Sequence, residues 1–437
     1  MSLLEVTLLE GRSWSRVGDA YEVTRKPRRF DLSPYADVPF LPMEAVPQSG
    51  AFQPVIPLKS RADIASGTYF ERGDLLIAKI TPSFENGKQA LVRDLALPFG
   101  YATTEVIPLR RRSSGHDPRL LFFYLLHPDV RHHIAERMEG STGRQRVPES
   151  VLLDLPIPAF DDYEEQAIGN ALETVQTAAL SEEASLKAAM ELKRAALSEM
   201  FRAGLRGEAQ RESEIGLVPR SWTVELLSRC ATVVSTRMSL AELRATEECT
   251  EETVDVLGIK VADMNRAANE TDLQSAALSR RVSLRVAQKR CAPPQTIIFP
   301  KRGAAIATNK KRLSTTWTAF DPNVIGVVAR SCTDVRYLFH WFQFFDLRSI
   351  TQPGPTPQLN KKDLEPVLVP LPPTLGEQRE IATVLDAIDA KIDLHRCKRA
   401  VLDDLFRTLL HRLMTGEISV GDLDLTALKP PARECAP

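Results

Sequence analysis

The chain has 437 residues, enough for two or three domains, and 43% hydrophobic content is ordinary for a protein with real cores. A formal charge of −1 gives no global support for nucleic-acid binding. No apolar run reaches the roughly 18 residues of a membrane span, Met1 to Glu10 lacks a secretory pattern, and the six cysteines form no C-x-x-C, so a cytoplasmic protein with reduced thiols is expected.

In chain order, Ser13-Trp14 opens an apolar stretch. Gly73 to Ile80 reads as a turn feeding a strand, followed by the loop Thr81 to Lys88. Asp117 to Arg137 reads as a helix with an aromatic face, and His127, His132 and His133 on it as surface or core residues. A proline-rich segment, Leu152 to Pro158, precedes a long helix with a start signal at Asp161 to Glu164 and a stop at Gly207. Gly169 and Asn170 are poor helix formers and are expected to loosen its start.

The pattern then repeats. Ser221-Trp222 opens a second stretch, and Thr296 to Gly303 reads as a strand ending in a basic, glycine-containing loop. Asp334 to Arg348 reads as a second aromatic-faced helix. Leu364 to Pro372 is again proline-rich, Thr374 to Glu377 fits a capping box, and a second long helix stops at Gly416. Glu165-Gln166 and Glu377-Gln378 mark matching points roughly 210 residues apart, so the chain is nearly a tandem duplication.

Both helices carry a heptad seam. The first presents Ile168, Leu172, Val175, Ala179, Glu182, Leu186, Ala189, Lys193, Ala196 and Met200. The second presents Ile381, Leu385, Ile388, Ile392, His395, Arg399, Leu402, Phe406, Leu409 and Leu413. Neither seam can stay in water, so the helices are expected to pack on each other, antiparallel, about a pseudo-two-fold axis. Setting Glu182 against Arg399 places Ala179 on Leu402, Ala189 on Ile392 and Ala196 on Leu385, and this ion pair is expected to set the register. The fold class is α+β, with modules at 1–160 and 208–372, helices at 161–207 and 373–418, and a tail at 419–437.

Charge is unevenly spread. Between Leu273 and Phe320 stand ten lysines or arginines and no acid: Arg280, Arg281, Arg285, Lys289, Arg290, Lys301, Arg302, Lys310, Lys311 and Arg312. Such a block suits phosphate contacts or a solvated face. No P-loop, glycine-rich cofactor turn, Asn-Pro-Pro-Tyr motif or metal-ligand spacing is present, so no catalysis, bound cofactor or metal is expected on this chain.

The junctions resemble those of the specificity subunits of type I restriction–modification systems. Gly140 to Pro148, Leu155 to Pro158 and Glu164 to Gln166 form the first; Thr351 to Pro353, Gln358 to Leu364, Val369 to Pro372 and Glu377-Gln378 form the second. Ile215 to Trp222 and Ile298 to Arg312 resemble further stretches of such subunits. The resemblance implies two target recognition domains that read the halves of a split double-stranded DNA sequence, spaced by the helices. It implies two modification subunits that bring S-adenosylmethionine, and restriction subunits that bring ATP and Mg2+. The chain itself is then a non-catalytic binding subunit, with no membrane contact.

Duplex reading needs cations for phosphates and Arg, Lys, Asn or Gln at base edges. The candidates are Lys79, Thr81, Ser83, Asn86 and Lys88 in the first module, and Lys301, Arg302, Thr308, Asn309, Lys310 and Lys311 in the second. The junction loops add Arg144, Gln145, Arg146, Gln352 and Gln358.

Overall fold

The computed structural model describes residues 13–48, 50–141, 143–246, 252–351 and 357–428. Two compact units emerge, Met1–Ser185 with His395–Pro437, and Leu186–Leu394. Each unit therefore combines one module with part of each long helix.

In the first unit the strands are β1 (Trp14–Arg16), β2 (Tyr21–Val23), β3 (Asp37–Leu41), β4 (Leu58–Ser60), β5 (Thr68–Glu71), β6 (Leu75–Ala78), β7 (Gln89–Leu91), β8 (Phe99–Ala102), β9 (Val106–Arg111) and β10 (Pro156–Pro158). Two four-stranded sheets run β2-β9-β6-β7 and β4-β3-β8-β5. All four residues of β6, Leu-Leu-Ile-Ala, are buried. Side chains alternate across a strand, so an unbroken apolar run needs cover on both faces. Leu75 and Ile77 join the cluster containing helix α1 (Pro118–Tyr124), while Leu76 joins the one containing Leu41 and Phe70. The single helix expected from Asp117 to Arg137 is two, because Pro128 starts a new one, α2 (Pro128–Ala135), behind the cap His127.

The second unit repeats the logic with different sheets. Its strands are β11 (Gln210–Ser213), β12 (Gly216–Pro219), β13 (Thr223–Leu226), β14 (Ala231–Val234), β15 (Thr253–Ile259), β16 (Asp272–Leu273), β17 (Leu278–Ser283), β18 (Thr296–Pro300), β19 (Arg312–Ser314), β20 (Trp317–Phe320), β21 (Val324–Ala329) and β22 (Leu368–Leu371). Eight of them form sheets ordered β14-β21-β18-β19-β16 and β17-β15-β20, while β11 pairs with β12. β18 is buried throughout, with Ile297 and Phe299 in one cluster and Ile298 in another.

The opening and closing motifs of each half are strand partners. β1 pairs with β10, Trp14 opposite Pro158, and β13 pairs with β22, Thr223 opposite Leu371. A buried tyrosine seals each junction: Tyr124 Oη donates to the Pro156 carbonyl and Tyr337 Oη to the Pro370 carbonyl, both at 2.6 Å.

The long helices are α3 (Asp162–Ala203) and α6 (Leu375–Thr415), of 42 and 41 residues. Every expected seam residue on both is buried or half-buried. In the second unit Lys193 pairs with Asp389 and Arg206 with Glu380, a descending order that makes the helices antiparallel. In the first unit the expected Glu182–Arg399 pair is not formed. Glu182 lies 2.6 Å from His395 and 3.8 Å from Lys398, while Arg399 reaches Glu183 at 3.6 Å and Asp403 at 3.2 Å. Heptad counting places Cα positions, and the choice of partner within a turn is left to side-chain reach and to neighbouring charges such as Lys398 and Glu183.

The helix ends differ from expectation in detail. α3 stops at Gly204 (φ +66°), three residues before Gly207, whereas α6 stops at Gly416 (φ +76°). The reciprocal capping box belongs to Asp161 and Glu164, with bonds of 2.7 and 3.4 Å. At Thr374 only the cap bond to the Glu377 N–H forms, at 3.2 Å, because the Glu377 carboxylate accepts from Trp222 Nε1.

Gly169 and Asn170 do not break α3. They make room for Arg119, which donates to Asn170 at 2.7 Å and to Glu173 at 2.7 Å, and pairs with Asp117. Arg336 repeats the contact in the second unit, gripping Asp386 of α6 at 2.7 Å. A Cβ on Gly169 would lie 3.0 Å from both the Arg119 guanidinium and the Asp117 carboxylate. Gly169→Ala is therefore expected to destabilise the protein by about 1 kcal/mol, although helix propensity alone favours alanine by a similar amount; urea denaturation reads the sign.

His127 is buried, with Nε2 3.2 Å from His411 Nδ1, and burial pushes its pKa down to about 4. The unfolded chain then takes up the proton first, so this contribution is complete above pH ~6.5 and is lost as pH falls toward about 4. His127→Phe is expected to flatten the loss of stability between pH 7 and 4.5, measured by denaturant midpoints.

Candidate nucleic-acid interface

In both modules the loop after the central strand is hydrogen-bonded to the junction loop. After β6, the Lys79 carbonyl accepts from Val147 N at 2.8 Å and Thr81 N donates to the Gln145 carbonyl at 3.0 Å. After β18, the Lys301 carbonyl accepts from Leu359 N at 2.9 Å and Gly303 N donates to the Pro357 carbonyl at 2.9 Å. Sequence reading nominated both loops of each pair, and the fold joins them into one edge per module.

The two edges differ in charge. In the first module Arg146 is bound to Glu105 by two bonds of 2.8 and 2.6 Å, which holds that carboxyl below its usual range. Thr81 Oγ1 donates to Glu85, and Lys88 Nζ donates to the Met43 carbonyl. Lys79, Ser83 and Gln145 are half-buried; Asn86 and Arg144 are exposed.

In the second module Lys301 and Arg302 line a cleft of about 570 Å³ together with Arg237, Arg244 and Lys260. Among the described residues none of these five forms an ion pair, and Asp321 is the one acid lining the cleft. Helix α4 (Leu240–Arg244) carries Arg244 and is capped reciprocally by Ser239 and Glu242. Arg290 holds the neighbouring loop, donating to the Arg237 carbonyl and to Glu242, both at 2.8 Å, and drives the Glu242 carboxyl to about 2. Desolvated walls of one charge sign focus the field at such a cleft.

Arg302 and Gln358 form a β-bridge at the cleft, and Gln358 is exposed. Gln352 lies outside the described residues. Thr308 is exposed, with its hydroxyl bonded to the Ala305 carbonyl. Asn309 (φ +53°) accepts from Leu347 N at 3.0 Å, and Lys310 donates to Asn265.

Lys311 departs from expectation: it is 4% exposed and donates to the Phe345 carbonyl at 2.7 Å. Arg312 is also buried, donating to Met264 O. The basic block is thus not one surface. Arg280, Arg281, Arg285 and Lys289 face solvent, two members line the cleft, and two are internal struts. Arg237, Arg244 and Lys260 escaped sequence reading because each is an isolated cation in its local segment.

A model of the type I restriction modification DNA specificity domain matches residues 304–403, which span α5 (Val335–Phe344), the second junction and much of α6. That stretch of the chain, about a hundred residues, is similar to the specificity domains of type I restriction–modification systems. The chain is 32% identical over 156 residues to the type I restriction enzyme EcoAI specificity subunit of Escherichia coli, covering 34% of this chain and 26% of that one. It is 31% identical over 163 residues to the EcoEI specificity subunit of the same organism, covering 37% and 27%. The aligned parts thus span about a quarter of those relatives. Its fold is similar to the S subunit of a type I restriction–modification system from M. genitalium, with a TM-score of 0.59 at 14% identity, covering 93% and 97% of the chains. A chain from a structure on complex assembly and conformational transition of the type I R-M system gives 0.52 at 17% identity, covering 93% and 98%. The tandem α+β plan with two long antiparallel helices is the one the sequence led us to expect.

Burial pushes the Lys311 pKa down to about 7. Folding thus opposes protonation, so stability is lost as pH falls from the unfolded value near 10.4 toward about 7. Lys311→Met is expected to remove the gain in stability between pH 7 and 9.5, read by urea denaturation against the unsubstituted chain.

Proposed function

We propose that this chain is a non-catalytic, sequence-specific DNA-binding subunit that reads a bipartite duplex target, one half per module. The reading rests on the cleft at the second edge, where five unpaired-charge residues surround hydrogen-bonding groups suited to a phosphate backbone and base edges. The long helices, at roughly 1.5 Å per residue, set the unspecified gap between half-sites. Two modification subunits dock on the chain and bring S-adenosylmethionine with the methyl-transfer chemistry; restriction subunits add ATP- and Mg2+-dependent cleavage. Relatives of this kind are named as specificity subunits of type I restriction enzymes, which supports the division of labour. The complex works on cytoplasmic DNA, and among the described residues no helix is long and apolar enough to cross a membrane.

The divergent edges support unlike half-sites: the first module offers a largely self-paired edge, and the second an open cationic one. The test is methylome sequencing of cells with and without the chain, paired with binding by the reconstituted complex. A split methylated motif lost on deletion is expected. Lys301→Ala with Arg302→Ala should weaken binding at least tenfold and lower the salt slope by about 2, one per phosphate contact. Unchanged affinity and slope in that variant would remove the cleft from the interface.

A further inference from the structure

Three side chains remote in sequence meet between α5 and α6 of the second unit: His340, Asp386 and Asp389. His340 is fully buried and Asp389 is 6% exposed. His340 Nε2 lies 2.7 Å from Asp386 Oδ1. On the other side of the ring, His340 Nδ1 faces Asp389 Oδ2 at 3.9 Å, and neither atom has a hydrogen-bond partner. That gap is too long for a hydrogen bond. Two ligands of one tetrahedral ion, each about 2.1 Å from it, stand roughly 3.4 Å apart, so a contraction of about 0.5 Å would suffice.

The surrounding groups are already set for such a role. A metal-binding imidazole commonly gives its other N–H to a carboxylate, which is the place Asp386 takes. Asp386 is in turn gripped by Arg336, which also holds Asp272 at 2.8 Å. The second oxygen of Asp389 receives Lys193 of α3. Asp272, Asp386, Asp389 and Asp393 thus stand around two cations, Arg336 and Lys193, an acid excess that favours a further positive charge.

The architecture does not demand this polarity. Phe123 follows Arg119 as His340 follows Arg336, and Gln176 follows Glu173 as Asp389 follows Asp386. Phe406 holds the same seam position on α6 as Lys193 on α3. There the matching place is filled by the Phe123–Phe406 ring contact, with centroids 5.6 Å apart. Buried charge is poor evidence of stability, so its presence in one half only calls for another reason.

We propose that His340, Asp389 and Asp386 form a site for one divalent transition-metal ion of the zinc class, clasping α5 of the second module to α6. His340 and Asp389 bind it directly and Asp386 orients the imidazole. One imidazole and one carboxylate, with water completing the tetrahedron, suit zinc better than magnesium, which takes oxygen ligands in an octahedron. Sequence reading could not find the site, because 46 residues separate His340 from Asp386.

The test is calorimetric titration of the chelator-treated full chain with zinc chloride. The expected result is one equivalent of zinc absent from the variant His340→Phe with Asp389→Gln, which copies the first module's side chains. Asp389→Asn, which keeps side-chain volume, should bind at least tenfold more weakly, and zinc should raise the melting temperature of the unsubstituted chain alone. Zinc held by other histidines appears in all three proteins and cancels. Equal zinc binding by the chain and the folded Asp389→Asn variant, or no binding by the unsubstituted chain, overturns the proposal.

Discussion

Two amphipathic helices of about 40 residues cannot keep their seams in water, and the rest of the molecule is arranged around that fact. A fully buried leucine or isoleucine is worth roughly 1.5–3 kcal/mol; Ile168 and Leu172 are buried on the first seam, and Ile381, Leu385, Ile392, Leu402, Leu409 and Leu413 on the second. Because the helices run antiparallel, the start of one meets the end of the other. That is why the compact units are discontinuous in sequence, the first taking residues up to 185 and again from 395.

Each module is rooted on its helix by the same small device. An N-capping aspartate opens a short aromatic helix, an arginine two residues on reaches the long helix, and a tyrosine closes the proline-rich strand. Glu165 and Gln378 both accept the backbone N–H of that aspartate, Asp117 or Asp334, at 2.7 Å. The Glu-Gln signature is therefore equivalent one residue out of step: glutamate acts in the first half and glutamine in the second. Roots this alike tolerate unlike sheets above them, because strand order is set within each module.

Repeated geometry at the root and divergent chemistry at the edge let one frame carry two unlike surfaces. The hydrogen bonds that tie strand-end loop to junction loop are backbone bonds, indifferent to side chains. Side chains on those loops are then free to vary. In the first module Glu105 absorbs Arg146, whereas in the second Lys301 and Arg302 face an open cleft.

The sequence by itself determined what depends on periodicity and local chemistry: the duplication, both long helices and their seams, and the strands entering the candidate loops. These are legible because amphipathic spacing, capping groups and β-branched runs act over a few residues. Only the tertiary structure decided which side chains meet. It sent Glu182 to His395 instead of Arg399, turned the weak helix formers Gly169 and Asn170 into a seat for Arg119, and buried Lys311 out of a basic block. It also gathered Arg237, Arg244 and Lys260 beside Lys301, and set His340 against Asp386 and Asp389. Partner choice depends on distances between segments far apart in the chain, and a linear pattern carries no such distances.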